Sequence, residues 1–175
     1  MKGLCRLCLT LCVSVMFSSM AGAQQSCLPE AALSTAPITR FVSEGTGAVK
    51  DLATNLVWRV CLEGQVGETC SGDALQLNWA QALMYPHQLN RGKKARQQWR
   101  LPNIRELNTL VELRCIRPAI NREVFKGVID NQVWTSSPYQ FYTHYAWYVD
   151  FRLGGANYDE RVKNKSLLLV RGGGR

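Results

Sequence analysis

The sequence predicts an α+β domain, and three observations carry that expectation. Apolar and polar residues alternate over short runs early in the chain and again over its last third, as in half-buried strands. Two stretches between those regions repeat apolar residues at helical spacing. Of the seven cysteines, Cys5, Cys8 and Cys12 fall in an N-terminal leader, so 7 − 3 = 4 remain (Cys27, Cys61, Cys70 and Cys115), an even number suited to cross-linking in an oxidising compartment.

The leader comes first. Lys2 and Arg6 precede an uncharged apolar stretch over residues 7–20, and Ala21-Gly22-Ala23 follows, which is the layout of a secretory signal with cleavage expected after Ala23. That stretch is shorter than the ~20 residues needed to span a bilayer, and no later segment approaches that length. The expected product is therefore extracytoplasmic, periplasmic or secreted, with no membrane span after cleavage. It has 175 − 23 = 152 residues, enough for one domain burying about 70% of its unfolded surface.

Residues 24–39 read as a polar N-terminal arm held mainly by Cys27, and the domain is expected over residues 40–175. Phe41-Val42-Ser43 and Val49-Lys50-Asp51 read as strands about a Gly45-Thr46-Gly47 turn, and Asp51 to Asn55 as a turn into Leu56-Val57-Trp58. Gly64, Gly67 and Gly72 mark a loop. Trp79, Ala82, Leu83 and Leu89 then follow helical spacing, with Pro86 expected to end or kink that helix because it has no amide hydrogen to donate. A second helix begins at Asn103, whose side chain can cap it while Glu106, three residues on, completes a capping box, and Leu107, Leu110 and Val111 supply its apolar face. Val133-Trp134, residues 146–151 and residues 167–170 read as strands, with a turn at Gly154-Gly155 and a loop over residues 136–145 crowded with aromatics.

Four cysteines allow three pairings. Closeness favours Cys61 with Cys70, leaving Cys27 with Cys115; in the loop-entropy picture the short bridge contributes ~2.5 kcal/mol and the long one ~4.5 kcal/mol. Spacing alone does not choose. A zinc site is disfavoured because these four include no Cys-x-x-Cys pair and His87 and His144 lie near none of them, so no metal and no cofactor is expected.

The most distinctive residues are Trp99-Arg100-Leu101-Pro102-Asn103-Ile104-Arg105-Glu106-Leu107, then Trp134-Thr135-Ser136-Ser137-Pro138, Ala146-Trp147-Tyr148-Val149-Asp150-Phe151 and Val170-Arg171-Gly172-Gly173. This ordered set, with the segments about Cys61, Cys70 and Cys115 and with Pro118-Ala119-Ile120-Asn121, resembles the bacterial domain named after the C-terminal domain of the Legionella collagen-like protein. The resemblance runs from about Val49 to Gly173. It implies a C-type-lectin-like fold: two helices beside a small, twisted antiparallel sheet, with long irregular loops. In the collagen-like relative the domain follows a repetitive stalk and is implicated in binding sulfated polysaccharides; no stalk appears here. Many relatives carry Asp before Trp-Arg-Leu-Pro, whereas this chain has Gln98, so a role for that carboxylate does not carry over. The fold also resembles that of the formylglycine-generating enzymes, whose chemistry needs cysteines late in the chain; none follows Cys115.

Removal of Lys2 and Arg6 takes the formal net charge from +8 to 8 − 2 = +6. The excess is concentrated over residues 91–105, where Arg91, Lys93, Lys94, Arg96, Arg100 and Arg105 occur without an acid. A clustered positive field in an exported protein points to anionic glycans, envelope polymers or acidic proteins, and nucleic acid is not the expected partner in that compartment. Arg91, Lys93, Lys94 and Arg96 are the candidates for gripping sulfate or carboxylate, whereas Arg100 and Arg105 flank the family motif and read as structural. Tyr139, Tyr142 and Tyr145 are the candidate aromatic contacts, since each offers a ring face and a hydroxyl on a loop. The tryptophans Trp58, Trp79, Trp99, Trp134 and Trp147 lie mainly on helical or strand patterns, where packing is their first use. Asp159-Glu160 reads as a solvated turn. No Gly-x-Ser-x-Gly, His-Glu-x-x-His or phosphate-loop motif occurs, and nothing in the sequence brings His144 to Asp150. The expected function is thus a non-enzymatic binding domain for an anionic glycan or envelope polymer, the alternative being an assembly protein that holds an envelope protein.

Overall fold

The computed structural model describes residues 24–29, 33–45 and 47–172; the expected leader over residues 1–23 and the glycine end from residue 173 lie outside them. In chain order the strands are β1 (Ser26–Cys27), β2 (Phe41–Ser43), β3 (Ala48–Asp51), β4 (Val57–Arg59), β5 (Cys115–Ile116), β6 (Gln132–Pro138), β7 (Tyr145–Asp150), β8 (Gly155–Glu160) and β9 (Val170–Arg171). The helices are α1 (Trp79–Met84), α2 (Pro86–Leu89) and α3 (Ile104–Asn108). The α+β class is as expected, but the strands divide into three small antiparallel sheets, ordered β1-β5, β2-β3-β4-β9 and β6-β7-β8.

Local chemistry explains the elements. Asp51 closes the turn between β3 and β4 on itself, accepting from the Ala53 amide at 3.0 Å and the Thr54 hydroxyl at 2.6 Å, while Asn55 takes the left-handed conformation at φ 58°. Pro86 divides the first predicted helix: α1 stops at Met84, and Pro86 opens α2 at a position where its missing N–H is not needed. Asn78 caps α1 in a box with Gln81, and Asn103 caps α3 in a box with Glu106. Leu107 and Leu110 are fully buried although α3 itself ends at Asn108, so part of the apolar face continues in the turn beyond the helix.

Residues 165–171 join the two larger sheets. Lys165 bridges Leu77, the Ser166 amide donates to Gln132 O at 3.0 Å, and its carbonyl accepts from the Trp134 amide at 3.1 Å. Glu63 and Arg59 donate to the Leu167 and Leu169 carbonyls, both at 3.0 Å, and Arg100 exchanges two bonds with Val170. Side chains of the strap alternate between two cores. Leu167 and Leu169 pack with Trp99, Leu101, Trp134 and Tyr148, whereas Leu168 and Val170 pack with Trp58, Leu107, Leu110 and Phe151. This continuous apolar run is buried on both faces, as a central strand requires.

Both favoured disulfides are present, Cys27–Cys115 and Cys61–Cys70. The arm is held by much more than Cys27. Its strand β1 pairs with β5, the Gln25 amide donates to Pro118 O at 2.7 Å and Ile120 O at 2.9 Å, and the buried Glu112 carboxylate accepts from the Ser34 hydroxyl and the Ala36 amide. Glu112 gave no such signal in the sequence because its partners lie some 78 residues away. Gly154, at φ +80°, turns β7 into β8 where an added Cβ would stand 2.9 Å from both Val111 and Ala119, so the turn packs closely on the core because it has no side chain.

Two expectations need correction. Asp159 and Glu160 lie in β8 rather than in a turn, and Asp159 pairs with buried Lys165 at 2.7 Å. The aromatic loop is shorter than residues 136–145, because β6 continues to Pro138. Among the described residues, no helix is long and apolar enough to cross a membrane. The two disulfides and the lack of such a helix are compatible with an extracytoplasmic protein.

Candidate functional site

The basic segment is a loop with a fastened base. Asn90 accepts from the Trp99 amide at 2.8 Å and donates to the Trp99 carbonyl at 2.7 Å, so one side chain closes the chain over residues 91–98. Within it a single 3-10 turn, Ala95–Gln97, and a bond from Gln98 Nε2 to Lys93 O at 3.2 Å set the shape. Arg91, Lys93, Lys94 and Arg96 are all exposed, and none forms an ion pair among the described residues. Below them Trp99 is buried, with the Arg59 and Arg171 guanidinium groups 5.4 and 4.9 Å from its ring. The region is strongly cationic at its surface.

Arg100 differs from its neighbours. It makes a bidentate pair with Glu106 at 2.8 and 2.7 Å, and its guanidinium also donates to Leu101 O and Gly172 O. Burial works to raise the Glu106 carboxyl, but Arg100 and the Asn103 amide hold it below its ordinary value. Arg100 therefore ties the family motif to the α3 capping box.

A groove of about 640 Å³ runs beside the base of this loop. Its lining includes apolar Leu83, Pro86, Trp99 and Leu101, polar His87, Arg91, Gln98 and Asn103, and Ser136 of β6. Lys93, Lys94 and Arg96 do not line it.

The predicted tyrosines gather on the β7–β8 side. Tyr139 stacks on Tyr158 with centroids 4.0 Å apart and rings at 19°, lies 6.1 Å from Tyr142, and meets Trp147 edge-on at 5.2 Å. Burial and the Tyr158 hydroxyl raise the Tyr139 phenol above its ordinary value. Tyr145 meets Tyr158 edge-on at 5.8 Å. Tyr139 and Tyr145 are half-buried and spend their faces on neighbours, while Tyr142 is 56% and Phe141 70% exposed. Trp147 and Tyr158 were not singled out as contacts by sequence reasoning. They face each other across β7 and β8 because the register pairs them, and that pairing is not visible in either strand alone. Trp79 is half-buried; its indole donates to Thr135 O at 2.8 Å and carries the Arg161 guanidinium at 4.2 Å.

The structure thus brings Tyr139, Tyr142 and Tyr145 into one patch and Arg91, Lys93, Lys94 and Arg96 onto one loop. Ser136 at the groove lies three residues before Tyr139, at most about 10 Å of extended chain, so groove and patch are neighbours along β6. Among the described residues no group of three or more His, Cys, Asp or Glu is placed to hold a metal.

Comparison with curated proteins gives no match. The family model described as the Lcl C-terminal domain matches residues 47–171, which span β3 to β9 and contain the basic loop, the groove and the aromatic patch. The chain belongs to the Lcl C-terminal domain family.

Proposed function

We propose that this protein is an exported, non-enzymatic binding domain that recognises an anionic glycan or envelope polymer through the loop of residues 91–98, with the neighbouring aromatic patch contributing ring contacts. The observation that carries this reading is the concentration of Arg91, Lys93, Lys94 and Arg96 on one exposed loop, without ion pairs among the described residues. Such a loop attracts a polyanion, and its arginines can clasp sulfate or carboxylate with two parallel hydrogen bonds. Tyr142 offers an exposed face for the C–H surface of a sugar ring.

The test is binding of the oxidised protein to sulfated, carboxylated and neutral glycans at low and physiological salt. Binding should be confined to anionic glycans and weaken with salt, since exposed charges are screened over ~8 Å at physiological ionic strength. Replacing Arg91, Lys93, Lys94 and Arg96 together by Ala should abolish it; unchanged binding by that variant would sink the reading. A second reading, a protein partner in envelope assembly, is favoured by the exposure of Phe141, which has no polar group to offer a sugar. In that case affinity should depend on Phe141 and Tyr142 and respond weakly to salt.

A further inference from the structure

The groove below the basic loop contains two arginines, and they are not equivalent. Arg100 is committed, with Glu106 occupying it in a bidentate pair and two backbone carbonyls taking further N–H groups. Its charge is neutralised in place. Arg91 lines the same groove, is exposed, and has no ion pair among the described residues. It is the cation left for a ligand.

Three other polar groups sort in the same way, beside exposed His87 and half-buried Ser136, whose hydroxyl donates to Pro102 O at 3.3 Å. Asn90 is fully used in closing the loop, giving and accepting one bond with the Trp99 backbone. Asn103 Oδ1 accepts from the Glu106 amide at 2.9 Å, which leaves its NH₂ as a donor beside the groove. Gln98 uses Nε2 on Lys93 O, which leaves Oε1 as an acceptor. Leu83, Pro86, Trp99 and Leu101 supply the apolar lining, and of these Leu83 is the half-buried one. The groove therefore offers an unpaired arginine, a separate donor and acceptor, and apolar lining, in about 640 Å³, which is the size range of small-ligand sites.

From this division we propose that the groove binds a single acidic sugar ring, a uronate or its sulfated counterpart. Arg91 takes the carboxylate or sulfate, Asn103 and Gln98 take ring hydroxyls, and the C–H face lies against the half-buried Leu83. The inference rests on the anionic-ligand reading above and makes it specific. The loop cations Lys93, Lys94 and Arg96 gather a polymer by long-range charge, and the groove reads one unit of it. The same chemistry is offered by a free sugar acid and by an acidic unit within a polymer, so both are used as probes.

The experiment titrates the oxidised protein with glucuronate, glucose and a heparin-like polymer, followed by calorimetry and amide chemical shifts. Glucuronate should bind and glucose should not. Arg91→Ala should weaken glucuronate about tenfold or more, the scale of one lost charge-assisted contact, while Arg91→Lys should retain part of the affinity. The variant lacking Lys93, Lys94 and Arg96 should bind glucuronate within about twofold of the parent and bind the polymer far more weakly. Arg91 is exposed and forms no ion pair among the described residues, so its loss should leave the fold intact, which the amide spectrum of the variant checks. Absence of glucuronate binding, equal binding by Arg91→Ala, or equal binding of glucose would each overturn the groove proposal. Polymer binding that survives removal of all four loop cations would instead overturn the loop reading and leave a glucuronate result at Arg91 standing.

Discussion

Lys165 is 3% exposed, yet it lies among aromatic rings. Its ammonium bonds Asp159 Oδ2 and Gln132 Oε1, both at 2.7 Å, and stands 4.0 Å from the Tyr148 centroid and 5.0 Å from that of Trp134. Desolvating a lysine is costly, and here two oxygens and two π-faces together offset the cost. The long apolar stem meanwhile fills space in the second core. Replacing Lys165 by Ala removes the pair and the stem together and should cost about 3 kcal/mol, whereas Lys165→Met keeps the volume and leaves Asp159 able to draw water, so it should cost less. Urea midpoints of the two variants check this order, and equal losses would show that charge rather than packing dominates. In the sequence Lys165 looks like one more surface cation near the C-terminus. Nothing local distinguishes it, because its partners come from β6, β7 and β8.

At the scale of elements, what could be read in the sequence was what is encoded locally. The α3 cap at Asn103 and Glu106, the break at Pro86, the β2–β3 hairpin and the turn at Gly154 each depend on residues within a few positions, and each is present. The α1 cap at Asn78 is equally local, but its Gln81 partner falls inside a stretch whose clearest signal is apolar spacing. β8 is not legible as a strand because Asn157, Tyr158, Asp159 and Glu160 present polar groups on both faces; Tyr158 meets Trp147 on one and Asp159 meets Lys165 on the other. The candidate site divides along the same line. The loop of cations is contiguous in sequence and plainly visible, whereas the groove is assembled from α1, α2, residues 98–106 and β6. The commitment of Arg100 to Glu106, which singles out Arg91, required the fold.

For the molecule as a whole, four carboxylates with different partners respond alike to acid. Burial works to raise Asp51, Glu106, Glu112 and Asp159, but each is held below its ordinary value: by Arg40, Thr54 and Ala53; by Arg100 and Asn103; by Ser34, Ala36, Arg114 and Thr35; and by Lys165 and Glu160. A group lowered on folding binds fewer protons in the native state than in the unfolded one, so stability rises with pH across its titration. The contribution of all four is complete above the unfolded carboxylate range near about pH 4 and is lost as the pH falls through the folded values. Thermal midpoints should be level from about pH 5 to 8 and fall steeply below about pH 4, and Asp51→Asn should make that acid limb shallower. A midpoint at about pH 3 equal to that at about pH 6 would contradict the linkage.

The strap of residues 165–171 orders events in time. Leu167 and Leu169 complete one core and Leu168 and Val170 the other, and the backbone between them joins both larger sheets. In a growing chain neither core can close until residues up to 171 have left the ribosome, so the domain folds only once its C-terminal strand is available. A chain ending at residue 164 should accordingly give no cooperative unfolding transition by circular dichroism, and a cooperative one would refute this ordering. Late folding of this kind keeps the polypeptide threadable through a narrow passage until its last strand arrives.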